Sequence, residues 1–167
     1  MDMDGITAFF ADLKVDLEDP VTLLISYKMG ADQQGKYTFD QFKKGCKEYG
    51  CDTMNKWYKV IPDCKKSLKD DKVFKEVYDF TFGFSQEAGF KNISYEYAEG
   101  LWTILMKDKC RFLQDWLDFF ESQNTEIIKK DQWDMFYLIV TATKGDFANF
   151  VDDGCWASTI DEFNEYY

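Results

Sequence analysis

The sequence contains no histidine in 167 residues, and it has only two prolines and five cysteines. Histidine is the commonest general base near neutral pH and a frequent metal ligand, so its absence removes the usual catalytic and zinc-binding chemistry. No phosphate-binding glycine motif and no nucleophile-elbow motif occurs. The odd set of cysteines forms no C-x-x-C pair, which indicates reduced thiols of an intracellular protein. We therefore predict a non-enzymatic protein with no metal ion and no cofactor.

Basic residues are few relative to acidic ones. The chain has 20 Lys and Arg against 31 Asp and Glu, a formal net charge of −11 at pH 7. Nucleic acids and anionic membranes are bound through basic contacts to phosphate, so we expect neither as a partner. No secretory leader and no apolar run long enough to span a bilayer is found. We expect a protein that is neither secreted nor membrane-spanning.

The acidic charge is concentrated in the second half of the chain. Residues 1–84 hold 15 acids and 13 bases, whereas residues 85–167 hold 16 acids and 7 bases. The last 37 residues, 131–167, combine eight acids and one base with several large aromatic side chains. Aromatic anchors beside uncompensated carboxylates are typical of an interface for a basic partner. A solvated acidic face over an ordinary core is the alternative.

Apolar residues follow helical spacing almost throughout. Ile6, Phe9 and Phe10 open the first amphipathic pattern, at positions i, i+3 and i+4. Thr38 is followed three residues later by Gln41, which predicts a capping box. Pro62 interrupts the fourth pattern and predicts a kink or a restart of that helix. The fold class that we predict is all-α, a compact bundle of about nine helices.

The loops between these helices contain a weak repeat. The segment 30–42 has the shape of an EF-hand loop, with Gly35 at the sixth position, but Gly30 and Gln41 stand where calcium needs carboxylates. Loops around Ile93 and Ile128 keep the apolar eighth position and also lack ligands. We predict degenerate EF-hand-like helix–loop–helix pieces that bind no metal.

Five segments carry a resemblance to a known family. They are Asp4-Gly5-Ile6, residues 48–52 (EYGCD), 74–84 (FKEVYDFTFGF), 130–133 (KDQW) and 154–163 (GCWASTIDEF). Together they resemble the defective-in-cullin-neddylation family, also called PONY-domain proteins, over Met3 to Tyr167. The resemblance implies one domain, 1–167, whose N-terminal (1–84) and C-terminal (85–167) halves pack together.

The function implied by the resemblance is that of a scaffold-type E3. Such a protein promotes transfer of the neddylation modifier from its E2 conjugating enzyme to a cullin, without a covalent step of its own. The partners implied are the C-terminal winged-helix region of a cullin, the N-acetylated E2 and, in the assembled complex, the cullin's RING partner. A monomer found in cytoplasm and nucleus is expected.

Two binding sites follow from the resemblance. The resemblance assigns cullin binding to Asp131, Cys155 and Asp161. Many relatives have Ala at the position of Cys155 and Pro at the position of Ala157. A pocket for the acetylated N-terminal methionine of the E2 is assigned to eleven residues, Met3, Ile6, Thr22, Ile25, Ser26, Gln34, Gly35, Tyr37, Phe84, Leu101 and Ile104. Thr22 and Ser26 are more polar than the aliphatic or alanine residues expected in such a pocket.

Two other functions stay open on the sequence. One is a metal-free EF-hand-like adaptor that grips another basic helical partner. The other is an enzyme that uses Cys155 as its nucleophile, although the surrounding acids disfavour a thiolate.

Overall fold

The helical pattern is realised as nine α-helices, in a computed structural model that describes residues 1–167. The helices are α1 (Met3–Asp12), α2 (Val21–Met29), α3 (Phe39–Glu48), α4 (Met54–Ser67), α5 (Asp71–Phe84), α6 (Tyr95–Met106), α7 (Leu113–Ser122), α8 (Lys130–Ala142) and α9 (Ser158–Tyr166). A 3₁₀ helix, Phe147–Asn149, precedes α9, and two short strands, β1 (Ile93–Ser94) and β2 (Ile127–Ile128), flank α6 and α7. The all-α prediction is confirmed.

Local capping chemistry sets where these helices begin. The Thr38 side chain accepts a hydrogen bond from the Gln41 amide (3.2 Å), and Gln41 Oε1 accepts one from the Thr38 amide (2.8 Å). This reciprocal pair satisfies two amides that α3 cannot pair internally, so the predicted capping box is confirmed. Pro62 lies within α4, which runs through it without a restart.

The chain divides into two compact units, Met1–Ser85 and Gln86–Tyr167. In the first unit α2 packs against α3, α4 and α5. Seven of the nine α2 residues are buried, Val21, Ile25 and Met29 fully, so this helix is enclosed on most of its surface. The close packing of the two halves stays a prediction.

The core of the second unit is built from stacked aromatic rings. Trp102 of α6 stacks on Trp133 of α8 with ring centroids 5.4 Å apart, and Trp116 of α7 stacks on Phe136 of α8 at 4.7 Å. Phe163 of α9 meets Trp116 edge-on at 5.0 Å. All five side chains are fully buried. Such ring pairs add directional stabilisation to ordinary area burial, so α6 to α9 are held in one arrangement.

The two-stranded sheet was not foreseen from the sequence. Ile93 pairs with Ile128 and Ser94 with Ile127 in antiparallel register. Each strand has only two residues, which is too short to show the alternating pattern by which strands are recognised. The two isoleucines are the apolar positions singled out in the second and third loops, and the EF-hand-like description of these loops stays a prediction.

Gly145 is a position at which we expect any side chain to be strongly destabilising. Its φ is +75°, and a Cβ there would lie 1.9 Å from the Lys109 carbonyl oxygen. We expect Gly145→Ala to lower the free energy of unfolding by about 3 kcal/mol or more, from left-handed strain plus a backbone clash. Urea unfolding followed by circular dichroism measures this.

The matched control is Gly154→Ala. Gly154 has φ +71° but no atom within 4 Å of the added Cβ, so the variant carries only the backbone strain. We expect it to lose about 1–2 kcal/mol. Equal losses in the two variants would contradict the close approach at Gly145.

Candidate functional site

The acidic residues Asp131 and Asp161 occupy equivalent places on two helices of the second unit. Asp131 lies in the first turn of α8, Asp161 lies in the first turn of α9, and these helices pack against each other. Carboxylates at helix N-termini complement the helix dipole, so the positions are stable for negative charge. Both side chains are exposed and form no ion pair within the protein. Their charges are therefore available to a partner.

Cys155 is held in an ordered turn before α9. The side chain of Asp152 accepts a hydrogen bond from the Gly154 amide (2.9 Å), and that of Asp153 accepts one from the Cys155 amide (3.0 Å). Trp156 anchors the same turn, because its Nε1–H donates to the Val151 carbonyl at 3.0 Å. The Cys155 side chain is exposed. We call Asp131, Cys155 and Asp161, the three residues that the resemblance assigns to cullin binding, the acidic surface.

The acidic surface has no sign of an activated nucleophile. The Cys155 thiol makes no hydrogen bond to a basic side chain, which a catalytic cysteine requires. Burial raises the pKa of the Cys110 thiol to about 12, so that thiol is not an activated nucleophile either. No group of three or more His, Cys, Asp or Glu side chains is arranged to hold a metal ion. No helix has the length and apolar character needed to cross a membrane.

Nine of the eleven residues of the predicted pocket belong to the first unit. Ile6 and Met3 lie on α1, the next three lie on α2, and Phe84 is the last residue of α5. Met3 is 53% exposed, Gln34 and Gly35 are half-buried, and the others in this unit are buried. Leu101 (buried) and Ile104 (half-buried) lie on α6 of the second unit.

The polar side chains of the predicted pocket bond to their own chain. Thr22 Oγ1 donates to the Asp19 carbonyl at 2.9 Å, and Ser26 Oγ lies 2.8 Å from the Thr22 carbonyl, to which it donates. Ser26 Oγ is also 2.6 Å from the Tyr37 hydroxyl. Burial raises the pKa of Tyr37, although the bond to Ser26 acts in the opposite direction. These hydroxyl groups therefore have hydrogen-bond partners within the protein. The other buried residues of the predicted pocket are apolar.

Two contacts of the predicted pocket were missed from the sequence. The Met1 ammonium donates to the Tyr37 carbonyl (2.7 Å), while the Tyr37 amide donates to the Met1 carbonyl (2.8 Å). Gln34 Nε2 donates to Ser85 Oγ at 3.0 Å. These partners are 36 and 51 residues apart in the chain, so no local spacing pattern links them.

Comparison with known proteins identifies the family of the chain. The profile of the family described as "Cullin binding" matches residues 56–166. The chain is 30% identical to "Defective in cullin neddylation protein 1" of Yarrowia lipolytica, over 99% of this chain and 70% of that protein. It is 27% identical to human "DCN1-like protein 4" (98% and 56%) and 25% identical to the Caenorhabditis elegans "Defective in cullin neddylation protein 1" (97% and 62%).

This all-helical chain thus matches the "Cullin binding" profile over residues 56–166 and the three named relatives along nearly all of its length. The chain belongs to the defective-in-cullin-neddylation family. It spans between 56% and 70% of the length of these three relatives.

Proposed function

We propose that this protein is a cofactor of cullin neddylation that acts as a scaffold and performs no covalent step. It binds the winged-helix region of a cullin through the acidic surface, and the N-acetylated N-terminus of the neddylation E2 through the predicted pocket. The observation that carries the proposal is the pair of exposed, unpaired carboxylates, Asp131 and Asp161, in a chain of the cullin-binding family.

Charge supports the cullin half of the proposal. The second unit has 16 acids against 7 bases, so its net charge of −9 attracts a basic partner. Opposite charges steer encounter and fix the orientation of docking. Cys155, which is exposed, and Trp156, which is half-buried, lie on the segment before α9 and offer apolar contact area to a partner.

The apolar residues of the predicted pocket support the E2 half. Thr22 and Ser26 donate to carbonyls of their own chain, so neither hydroxyl proton is left unpaired among these side chains. Transfer of an unpaired charge into apolar surroundings costs several kcal/mol, whereas an acetylated amine carries no charge. Burial of a methionine side chain contributes about 1.5–3 kcal/mol to binding.

Holding both partners at once explains how a protein without catalytic residues accelerates the reaction. Linked binding raises the effective concentration of the charged E2 at the cullin lysine and restricts its orientation. The RING partner of the cullin takes part in the assembled complex, in which this protein is a monomer of the cytoplasm and nucleus.

A reconstituted neddylation reaction tests the proposal. The initial rate of cullin modification is measured with and without this protein, using E2 that carries either an acetylated or a free N-terminal amine. We expect about tenfold or greater stimulation with acetylated E2 and less than about twofold with the free amine. Calorimetry with the two matching E2 N-terminal peptides provides the binding control.

The outcomes separate the two halves of the proposal. Equal stimulation by both forms of E2 would contradict the acetyl-methionine pocket and leave the cullin surface standing. Stimulation by neither form would contradict the scaffold itself and favour an adaptor for another basic helix.

A further inference from the structure

An open cleft in the second unit collects most of the positive charge of that unit. The cleft has a volume of about 460 Å³. Of the seven basic residues in 86–167, four line it, together with two carboxylates; the six are Lys107, Lys109, Arg111, Lys144, Asp108 and Asp146. In a unit with net charge −9, four cations around one cleft form a local reversal of sign.

The cleft is built by two connections that touch backbone to backbone. The connection after α6 supplies residues 107–111, and the one after α8 supplies residues 144–149. The Arg111 amide donates to the Gly145 carbonyl (2.8 Å), and the Gly145 amide donates to the Val140 carbonyl (2.8 Å). A Cβ on Gly145 would clash with the Lys109 carbonyl, so only glycine permits this approach. The fold therefore sets the spacing of the cations.

The chemistry of the lining selects among anions. Arg111 is the only arginine in the chain, and its Nη1 already donates to Asp146 Oδ2 at 2.8 Å. The fork geometry that suits arginine to phosphate is thus partly engaged by an internal carboxylate. A compact phosphate dianion would bring two charges at one point near Asp108 and Asp146, whereas single carboxylates spaced along a chain can each lie against a lysine. Lysines are point charges with rotatable donors, so they suit carboxylates that are spread along a chain.

We propose that this cleft docks an acidic, Asp- and Glu-rich segment of a partner protein. Lys107 and Lys144 are the main contacts, because both are exposed and neither forms an ion pair in the protein. A cleft of this volume holds a few side chains of an extended peptide. The proposal goes beyond the scaffold function, since none of these residues belongs to the acidic surface or to the predicted pocket.

A peptide titration tests the assignment. The probe is a fluorescein-labelled peptide of alternating Glu and Gly, and the comparison peptides replace Glu with Gln or with phosphoserine. Fluorescence anisotropy is measured at low salt with the full chain and with the double variant Lys107→Gln/Lys144→Asn. Asn is chosen because Lys144 has φ +53°, a conformation that Asn tolerates. We expect the double variant to bind the Glu peptide about tenfold more weakly.

The control variant, Lys91→Gln/Lys129→Gln, also removes two positive charges from the second unit, but at positions outside the cleft. We expect it to retain affinity within about twofold. Equal weakening in both variants would assign the binding to overall charge and overturn the proposal, as would no binding of the Glu peptide. Preference for the phosphoserine peptide would overturn it in favour of a phosphate site.

Nuclear magnetic resonance locates the peptide independently. Amide shifts confined to residues 107–111 and 144–149 support the cleft, whereas shifts elsewhere overturn it. The Asp131→Lys/Asp161→Lys variant should bind the Glu peptide at least as well as the unaltered chain, so failure of the cullin proposal and failure of this one give different results.

Discussion

Reversing the charges of the acidic surface, in Asp131→Lys/Asp161→Lys, should weaken binding to a cullin winged-helix fragment by about 100-fold or more. On the proposed interface, each reversal would remove an attractive charge pair and place a repelling cation opposite a basic residue. Truncating one partner of a desolvated charge pair costs about 2–5 kcal/mol, and each 1.4 kcal/mol is tenfold in affinity. Calorimetry at physiological salt measures the change.

The matched control keeps helix position and charge constant. Glu96 lies in the first turn of α6 and Asp115 in the first turn of α7, and both are exposed in the second unit. Glu96→Lys/Asp115→Lys therefore makes the same change in total charge and in helix-dipole compensation. We expect its cullin affinity to fall by less than about fivefold, through long-range charge alone. Similar losses in both variants would contradict a localised docking surface.

Truncation of the central indole, Trp102→Ala, should lower the free energy of unfolding of the second unit by about 3–5 kcal/mol. Trp102 is fully buried and its ring stacks on Trp133 while meeting Phe136 at 5.2 Å and Phe120 at 5.9 Å. Its removal leaves a cavity between α6, α7 and α8 that rigid aromatic neighbours fill poorly. Urea unfolding followed by far-ultraviolet circular dichroism measures the loss.

Tyr97→Ala is the control for this prediction, because Tyr97 lies on the same helix and is 52% exposed. We expect it to change the free energy of unfolding by less than about 0.5 kcal/mol. A loss below about 1 kcal/mol for Trp102→Ala would show that the ring cluster repacks and does not hold the unit together.

The predictable parts of the fold are those that depend on residues close together in the sequence. Helical spacing around Ile6 and the pairing of Thr38 with Gln41 act within one or two turns, so the sequence alone identified them. The pairing of Ile93 with Ile128 joins two strands that are separated in the chain by α6 and α7. A strand of two residues is too short to show the alternating pattern that would predict it.

The proposed binding surfaces divide in the same way. The acidic surface was identified through a resemblance, and its residues lie at comparable places on α8 and α9. The basic cleft escaped sequence reasoning because its cations are scattered from Lys107 to Lys144 within an acidic half. The close contact between Gly145 and the Lys109 backbone brings these cations together. A single glycine in the sequence does not predict such a contact.

The positions of the tryptophans allow the two units to be followed separately by intrinsic fluorescence. Trp57 is the one tryptophan in residues 1–85, whereas in the other unit Trp102 stacks on Trp133 and meets Trp116 edge-on. Replacing Trp57 with phenylalanine would remove the tryptophan emission of residues 1–85 and leave that of the second unit. Trp156, half-buried next to Cys155 in the sequence, is the indole whose emission wavelength should respond if a cullin binds at that turn as proposed.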